Sequence, residues 1–152
     1  MLKKVSVFIG FFLPWFLASA VPVDYNYYSS INLPSFAPPK LFFIIAWAIV
    51  YTFIALSSSS ILNNYKWNEV TKSYKVTLLI NYLFNQAYTL IFFGLKNNFL
   101  AFVDTVGTFI SCLFLCLETS NLKEKSTRLL IPYVLLSFFA VILAFSIFIL
   151  NN

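Results

Sequence analysis

The stretch Leu33–Tyr51, LPSFAPPKLFFIIAWAIVY, decides how this chain folds. It leaves a polar, tyrosine-rich segment, breaks at Pro38-Pro39, and becomes an apolar run carrying Trp47 and Tyr51 four residues apart. Neither proline can donate a backbone hydrogen bond, and each fixes φ near the value that starts a helix. The pair therefore stiffens the segment before it and launches a helix at a defined angle. Phe36, just ahead of the pair, is then held over the helix mouth, and the remaining chain reads as a bundle that encloses what lies beneath.

Outward from that stretch, the composition fixes the solvent. Of 152 residues, 61% are hydrophobic, 20% aromatic and only 10% charged, against about 25% charged in a soluble domain. With mean hydropathy +0.85, the chain cannot cover its surface with polar groups, so lipid must surround it. A net charge of +5 does not make a nucleic-acid surface, because the basic residues fall singly or in small groups between apolar runs. The chain has no histidine, which removes the usual haem ligand, general base and most zinc sites together. Cys112 and Cys116 lie in an apolar run at i, i+4 and read as small packing residues.

Five segments approach the roughly 20 apolar residues of a membrane span: 5–23, 41–62, 76–95, 99–117 and 129–150. The expected fold is an all-α, five-helix membrane bundle forming a single domain over residues 1–152, with a lid loop at 24–40. Lys3, Lys4 and the run ending Ala18-Ser19-Ala20 also fit a cleavable signal peptide. The length of the run and the central Pro14-Trp15 favour a retained first helix. Eight basic residues (Lys3, Lys4, Lys66, Lys72, Lys75, Lys123, Lys125 and Arg128) fall on one side of the expected topology, and only Lys40 and Lys96 on the other. The positive-inside rule then places the N-terminus in the cytoplasm and the 24–40 loop and C-terminus outside. A bacterial inner membrane is the expected host, a mitochondrial outer membrane the alternative.

Polar residues inside the spans mark where to look for a site, because each is costly in lipid unless paired or lining a cavity. Asn81, Asn85, Tyr88 and Phe92 share one face of the third span. Asn81 falls within a turn of the interface, where water can solvate it. Asn85 is deeper and has two readings, an interhelical bond or a ligand contact. Asp104, Gly107, Thr108 and Ser111 form a second stripe. Asp104 reads as structural, since one acid without a base or metal partner makes no catalytic constellation. The spacing of Gly107 and Ser111 suits close helix packing, either within the bundle or in a dimer. In the fifth span Pro132 fits the first helical turn, and Leu136, Phe139, Ala140 and Leu143 share a face. The loop tyrosines Tyr25, Tyr27 and Tyr28 read either as an interfacial belt or as part of a lid.

Three blocks of this sequence, in order, resemble the TspO/MBR family, the tryptophan-rich sensory and translocator (peripheral benzodiazepine receptor) proteins. Pro34, Ser35, Pro38, Pro39, Phe43, Trp47 and Tyr51 match the family's P-S-W-x-P-P-x-W-v-F-x-x-V-W-x-x-L-Y. Asn85, Phe92, Phe93, Gly94, Ala101, Val103 and Asp104 match N-x-x-W-x-P-x-F-F-G with A-L-V-D. Arg128–Ala140 and Leu150-Asn151 supply the third. Family tryptophans are replaced by Phe36, Leu41, Tyr88 and Leu136, and a fifth-span asparagine by Ala144. The sterol-recognition pattern described for animal members is not legible.

The resemblance implies a five-helix bundle, often a homodimer, with a pocket beneath the first loop that takes porphyrins and isoquinoline-type molecules. Carried over by position, its ligand-binding residues are Tyr28, Phe36, Trp47, Asn85, Tyr88, Leu136, Phe139 and Ala140, with Trp47 and Asn85 as polar handles for a ligand carbonyl. Pro38, Pro39, Gly94, Asp104 and Pro132 belong to the structural motif. The expected function is capture of a tetrapyrrole or similar flat amphipathic ligand for transport, sensing or sequestration, with no covalent cofactor, metal or nucleic-acid partner. Two alternatives are an enzyme degrading porphyrins with light and oxygen, and a scaffold without a ligand.

Overall fold

The computed structural model describes residues 2–20 and 22–151. Among them the regular elements are helical: α1 (Leu2–Phe12), continued by a 3-10 segment (Leu13–Ala20); α2 (Tyr25–Ser30); α3 (Lys40–Leu62); α4 (Lys72–Thr89), continued by a π-helical turn (Leu90–Gly94); α5 (Asn98–Thr127); and, after a 3-10 turn (Arg128–Leu130), α6 (Ile131–Leu150). The runs Lys40–Leu62, Lys72–Gly94 and Asn98–Leu150 are long and apolar enough to cross a membrane. The last is two rods. Lys123 is extended, with φ −160° and ψ 96°, and α6 returns antiparallel to α5, so that Phe99 meets Phe148, Phe102 meets Phe145 and Phe109 meets Phe138.

The first rod is made differently. Pro14 cannot continue the i→i−4 ladder of α1, and it lies in an eight-residue 3-10 segment, Leu13–Ala20, an unusual length for that geometry. The tighter winding rises more per residue, so the two pieces together reach about 32 Å, close to the hydrocarbon thickness. Two carbonyls at the break accept from side chains of α4. Tyr82 Oη donates to Pro14 O at 3.2 Å and Gln86 Nε2 to Trp15 O at 3.4 Å. This pins Trp15 in the bundle interior, where it is 3% exposed.

Sequence-based ends shift where polarity hides a helix. α4 starts at Lys72, four residues before the expected Val76, because the Thr71 side chain caps it by accepting from Tyr74 N–H. α5 runs five residues past Leu117 to the break at Lys123, and a further helical turn carries the chain to Thr127, through polar residues that hydropathy does not register. The bundle is unequal along its length. The end where α3 finishes and α4 begins is solid, with Ile54, Ile61, Tyr74, Leu115, Leu130 and Tyr133 all at 1% exposure or less. The opposite end carries the 24–40 segment and a hollow.

Candidate functional site

Pro39 caps α3 with φ −56° and ψ 147°, and its carbonyl accepts from Phe42 N–H at 2.9 Å. This sets Trp47, two turns in, toward the interior. Trp47, Tyr51 and Trp15 form a continuous aromatic wall, with ring centroids 5.7 Å apart for Trp47–Tyr51 and 5.6 Å for Trp15–Tyr51. Tyr88 stacks on Phe92 with an interplanar angle of 9°. Between these walls lies a cavity of about 350 Å³ bounded also by Phe16, Tyr28, Phe43, Phe93, Asn85 and Ala140. That volume falls at the lower end of the range for small-molecule sites.

The cavity floor is a buried polar lock. Asn85 Nδ2 donates to Tyr133 Oη, Tyr133 Oη donates to Asn81 Oδ1 at 3.0 Å, and Asn81 Nδ2 donates to Ser111 Oγ at 2.9 Å and Thr108 O at 3.3 Å. Four polar side chains from α4, α5 and α6 thus satisfy one another inside an apolar bundle, which fixes their geometry. Asn85 also donates to Asn81 O at 3.4 Å. Its amide N–H groups are thereby spent on protein, and its carbonyl oxygen is the part it can offer a ligand. The Trp47 indole N–H has no acceptor among the described residues.

The 24–40 segment closes the hollow and is tied at both ends. Asp24 caps α2 by accepting from Tyr27 N–H at 3.0 Å, and its other oxygen pairs with Lys96 Nζ at 2.8 Å. Hydrogen bonding to Lys96 holds the Asp24 carboxyl below its ordinary value of 3.8. Tyr27 Oη donates to Asn98 Oδ1 at 2.8 Å. At the far end Asn32 N–H donates to Asn151 Oδ1 at 2.8 Å, and Asn151 Nδ2 returns a bond to Asn32 O at 2.9 Å. Lys40 lies at the rim with its ammonium 4.8 Å from the centre of the Tyr28 ring, within cation–π reach.

The comparisons with known proteins fit this arrangement. The TspO/MBR family model matches residues 5–150. The chain belongs to the TspO/MBR family. It is 40% identical to the tryptophan-rich protein TspO of Bacillus cereus, covering 99% of this chain and 100% of that one. It is 33% identical to the membrane protein YtaB of Bacillus subtilis, over 97% of both chains. Protein CrtK of Rhodobacter capsulatus is 25% identical over 97% of this chain and 94% of its own.

Within this TspO/MBR fold, Tyr28, Trp47, Asn85, Tyr88 and Ala140 share the cavity wall. Phe36, Leu136 and Phe139 do not line it. Phe36 is 48% exposed and meets the edge of Phe139 from outside, with centroids 6.3 Å apart. Phe139 in turn backs the wall residue Phe43, and Leu136 packs on the solid core. The lid therefore contributes Tyr28 to the wall, and Phe36 braces it from behind.

Of the motif residues, Pro132 sits in the first turn of α6. Asp104 is buried, and its Oδ2 has no partner among the described residues. A Cβ at Gly107 would lie 2.5 Å from Phe84 Cε1, so a larger residue there displaces the Phe84 ring. A Cβ at Gly94 would meet nothing within 4 Å, and nothing in the structure explains that glycine.

Sequence reasoning overlooked Trp15 and Phe16 as wall residues, although Pro14 marked a helix break in mid-span. It overlooked Ser137 and Thr108 as well, because small polar residues in spans read first as packing. Asn81 is fully buried in the lock, so the reading that water solvates it does not hold.

Proposed function

We propose that this TspO/MBR protein is a membrane receptor that binds a flat amphipathic molecule in the lidded cavity, a tetrapyrrole or an isoquinoline-type ligand, for transport, sensing or sequestration. The observation that carries the reading is that one hollow gathers Trp15, Trp47, Tyr51, Tyr88 and Phe92 around a single deep amide, Asn85. Aromatic faces suit a planar apolar ring system. The indole N–H of Trp47, without an acceptor among the described residues, suits a carbonyl, the Asn85 oxygen suits a pyrrole or amide N–H, and Lys40 at the rim suits a carboxylate.

On this reading the protein sits in the bacterial inner membrane, with its basic end in the cytoplasm and the lid outside, as the distribution of lysine supports. A homodimer is part of the proposal, and cross-linking in membranes tests it. The binding proposal itself rests on titrating detergent-purified protein with protoporphyrin while following tryptophan fluorescence. Saturable quenching is expected, weakened about tenfold or more when Ala140→Phe fills the hollow and much reduced in amplitude in Trp47→Phe. Quenching that neither substitution alters means partition into the detergent and removes the proposal.

A further inference from the structure

A second cavity, of about 440 Å³, lies between α1 and α4 on the outer surface of the bundle, and Trp15 lines both it and the lidded one. Its cause is the break at Pro14. Above the break the 3-10 segment is pinned to α4 by the Tyr82 and Gln86 bonds, whereas below it α1 leans chiefly on α3. The two rods diverge toward the basic end and leave a wedge. Gly10 and Phe11 form one wall, Leu78 and Leu79 the other. A Cβ added at Gly10 would meet nothing within 4 Å, so the wedge is open there. At its mouth the Lys75 ammonium stands 4.9 Å from the centre of the Trp67 ring.

The charge around that mouth is mainly basic. α1 and α4 run parallel, and the bonds from Tyr82 to Pro14 and Gln86 to Trp15 set their register. Lys3 and Lys4 therefore stand level with Lys72 and Lys75. The acids on this side are fewer: Glu69, which accepts from Lys66 N–H, and Glu118, which accepts from Ser73 Oγ. We propose that the wedge is a site for an anionic phospholipid, one acyl chain lying between Phe11 and Leu79 and the phosphate beside Lys75. An apolar slot that ends at Lys75, with Lys3, Lys4 and Lys72 at the same level of the bundle, matches such a lipid in both parts, and basic pockets between spans on the cytoplasmic side select anionic headgroups. The assignment does not depend on what the lidded cavity binds.

Native mass spectrometry of the detergent-purified full chain, titrated with phosphatidylglycerol and phosphatidylcholine of identical acyl chains, tests it. Wild-type protein is expected to retain phosphatidylglycerol about fivefold better, the weight of one surface lysine. Lys75→Gln should abolish that preference, and Gly10→Leu, whose side chain enters the wedge, should lower retention of both lipids. Lys75 is half-buried and lies outside the buried core, so its variant carries the test even where Gly10→Leu folds poorly. Equal retention of the two lipids by wild type, or a preference unmoved by Lys75→Gln, overturns the assignment. So does a dimer fraction that falls in Gly10→Leu while lipid retention stays constant, because the wedge is then filled by a second copy.

Discussion

The two halves of this bundle solve opposite problems. The basic half is packed solid, with Tyr74, Ile54, Ile61, Leu115 and Leu130 almost wholly buried, and two of its hydroxyls tie helices together, Ser57 Oγ donating to Ser126 O and Tyr74 Oη to Ser58 Oγ. The lid half keeps a hollow of about 350 Å³. In lipid there is little hydrophobic force between helices, so the bundle is held by close contact and interhelical hydrogen bonds. A hollow forfeits contacts, and the solid half must compensate for them. The difference teaches that the site is held open from below: the lock of Asn81, Asn85, Tyr133 and Ser111 is both the last layer of the solid half and the floor of the hollow.

The largest effect should separate the halves. Leu115→Ala empties a fully packed position and should cost about 2–4 kcal/mol. Leu143→Ala, on the cavity wall, already faces space on one side and should cost about half as much. Thermal unfolding in detergent measures both, and protoporphyrin titration should rank them in reverse, with Leu143→Ala perturbing affinity and Leu115→Ala leaving it alone. Equal losses of stability would erase the distinction between a solid and a hollow half.

A smaller change sharpens the boundary. Tyr133→Phe keeps the ring but removes the hydroxyl that bonds both Asn81 and Asn85, leaving two buried amides each short of a partner. The expected loss is about 1–2 kcal/mol, since a stranded polar group costs more than the bond it made, while bonds within membrane bundles measure weaker than in theory. Because Asn85 lines the hollow, ligand affinity should move as well. Stability that falls while affinity stays fixed would show that the floor belongs to the solid half alone.

How much of this was legible depended on what each residue signals by itself. The α3 block announced its own geometry, because Pro38-Pro39 leaves a chain few options and Trp47 and Tyr51 one turn apart must share a face. The third-span stripe placed Asn85 and Tyr88 together for the same reason. Trp15 stayed hidden, since a run that also fits a signal peptide gives no hint that its tryptophan is pinned through Tyr82 and Gln86, residues some 70 positions away. The lock stayed hidden too. Tyr133 follows a proline in an apolar run, and only the antiparallel return of α6 brings its hydroxyl between two asparagines of α4. Periodicity reports which residues share a helix face, and not which face meets which.

The smallest effect concerns the lid and tests whether the hollow half is closed by charge or by shape. Asp24 both caps α2 and pairs with Lys96. The pair is exposed, so its contribution belongs to lid closure and not to overall stability. Its sign follows from the depressed carboxyl. With the closed-lid value below the ordinary 3.8, the tie is complete above pH 3.8 and is lost as pH falls through the closed-lid value. Between pH 6 and 8 the lid should show no dependence on pH, because the Asn32–Asn151 tie at the other end does not titrate. Asp24→Asn separates the two duties of the residue, since asparagine caps a helix about as well as aspartate but cannot pair with lysine. Hydrogen exchange of the α2 amides, corrected for its intrinsic pH dependence, should therefore rise about twofold in Asp24→Asn at neutral pH, and in wild type only in acid or high salt. Exchange that is identical in the two proteins at every pH would mean that the asparagine tie and the packing of Tyr27 on Phe92 hold the lid without help from charge.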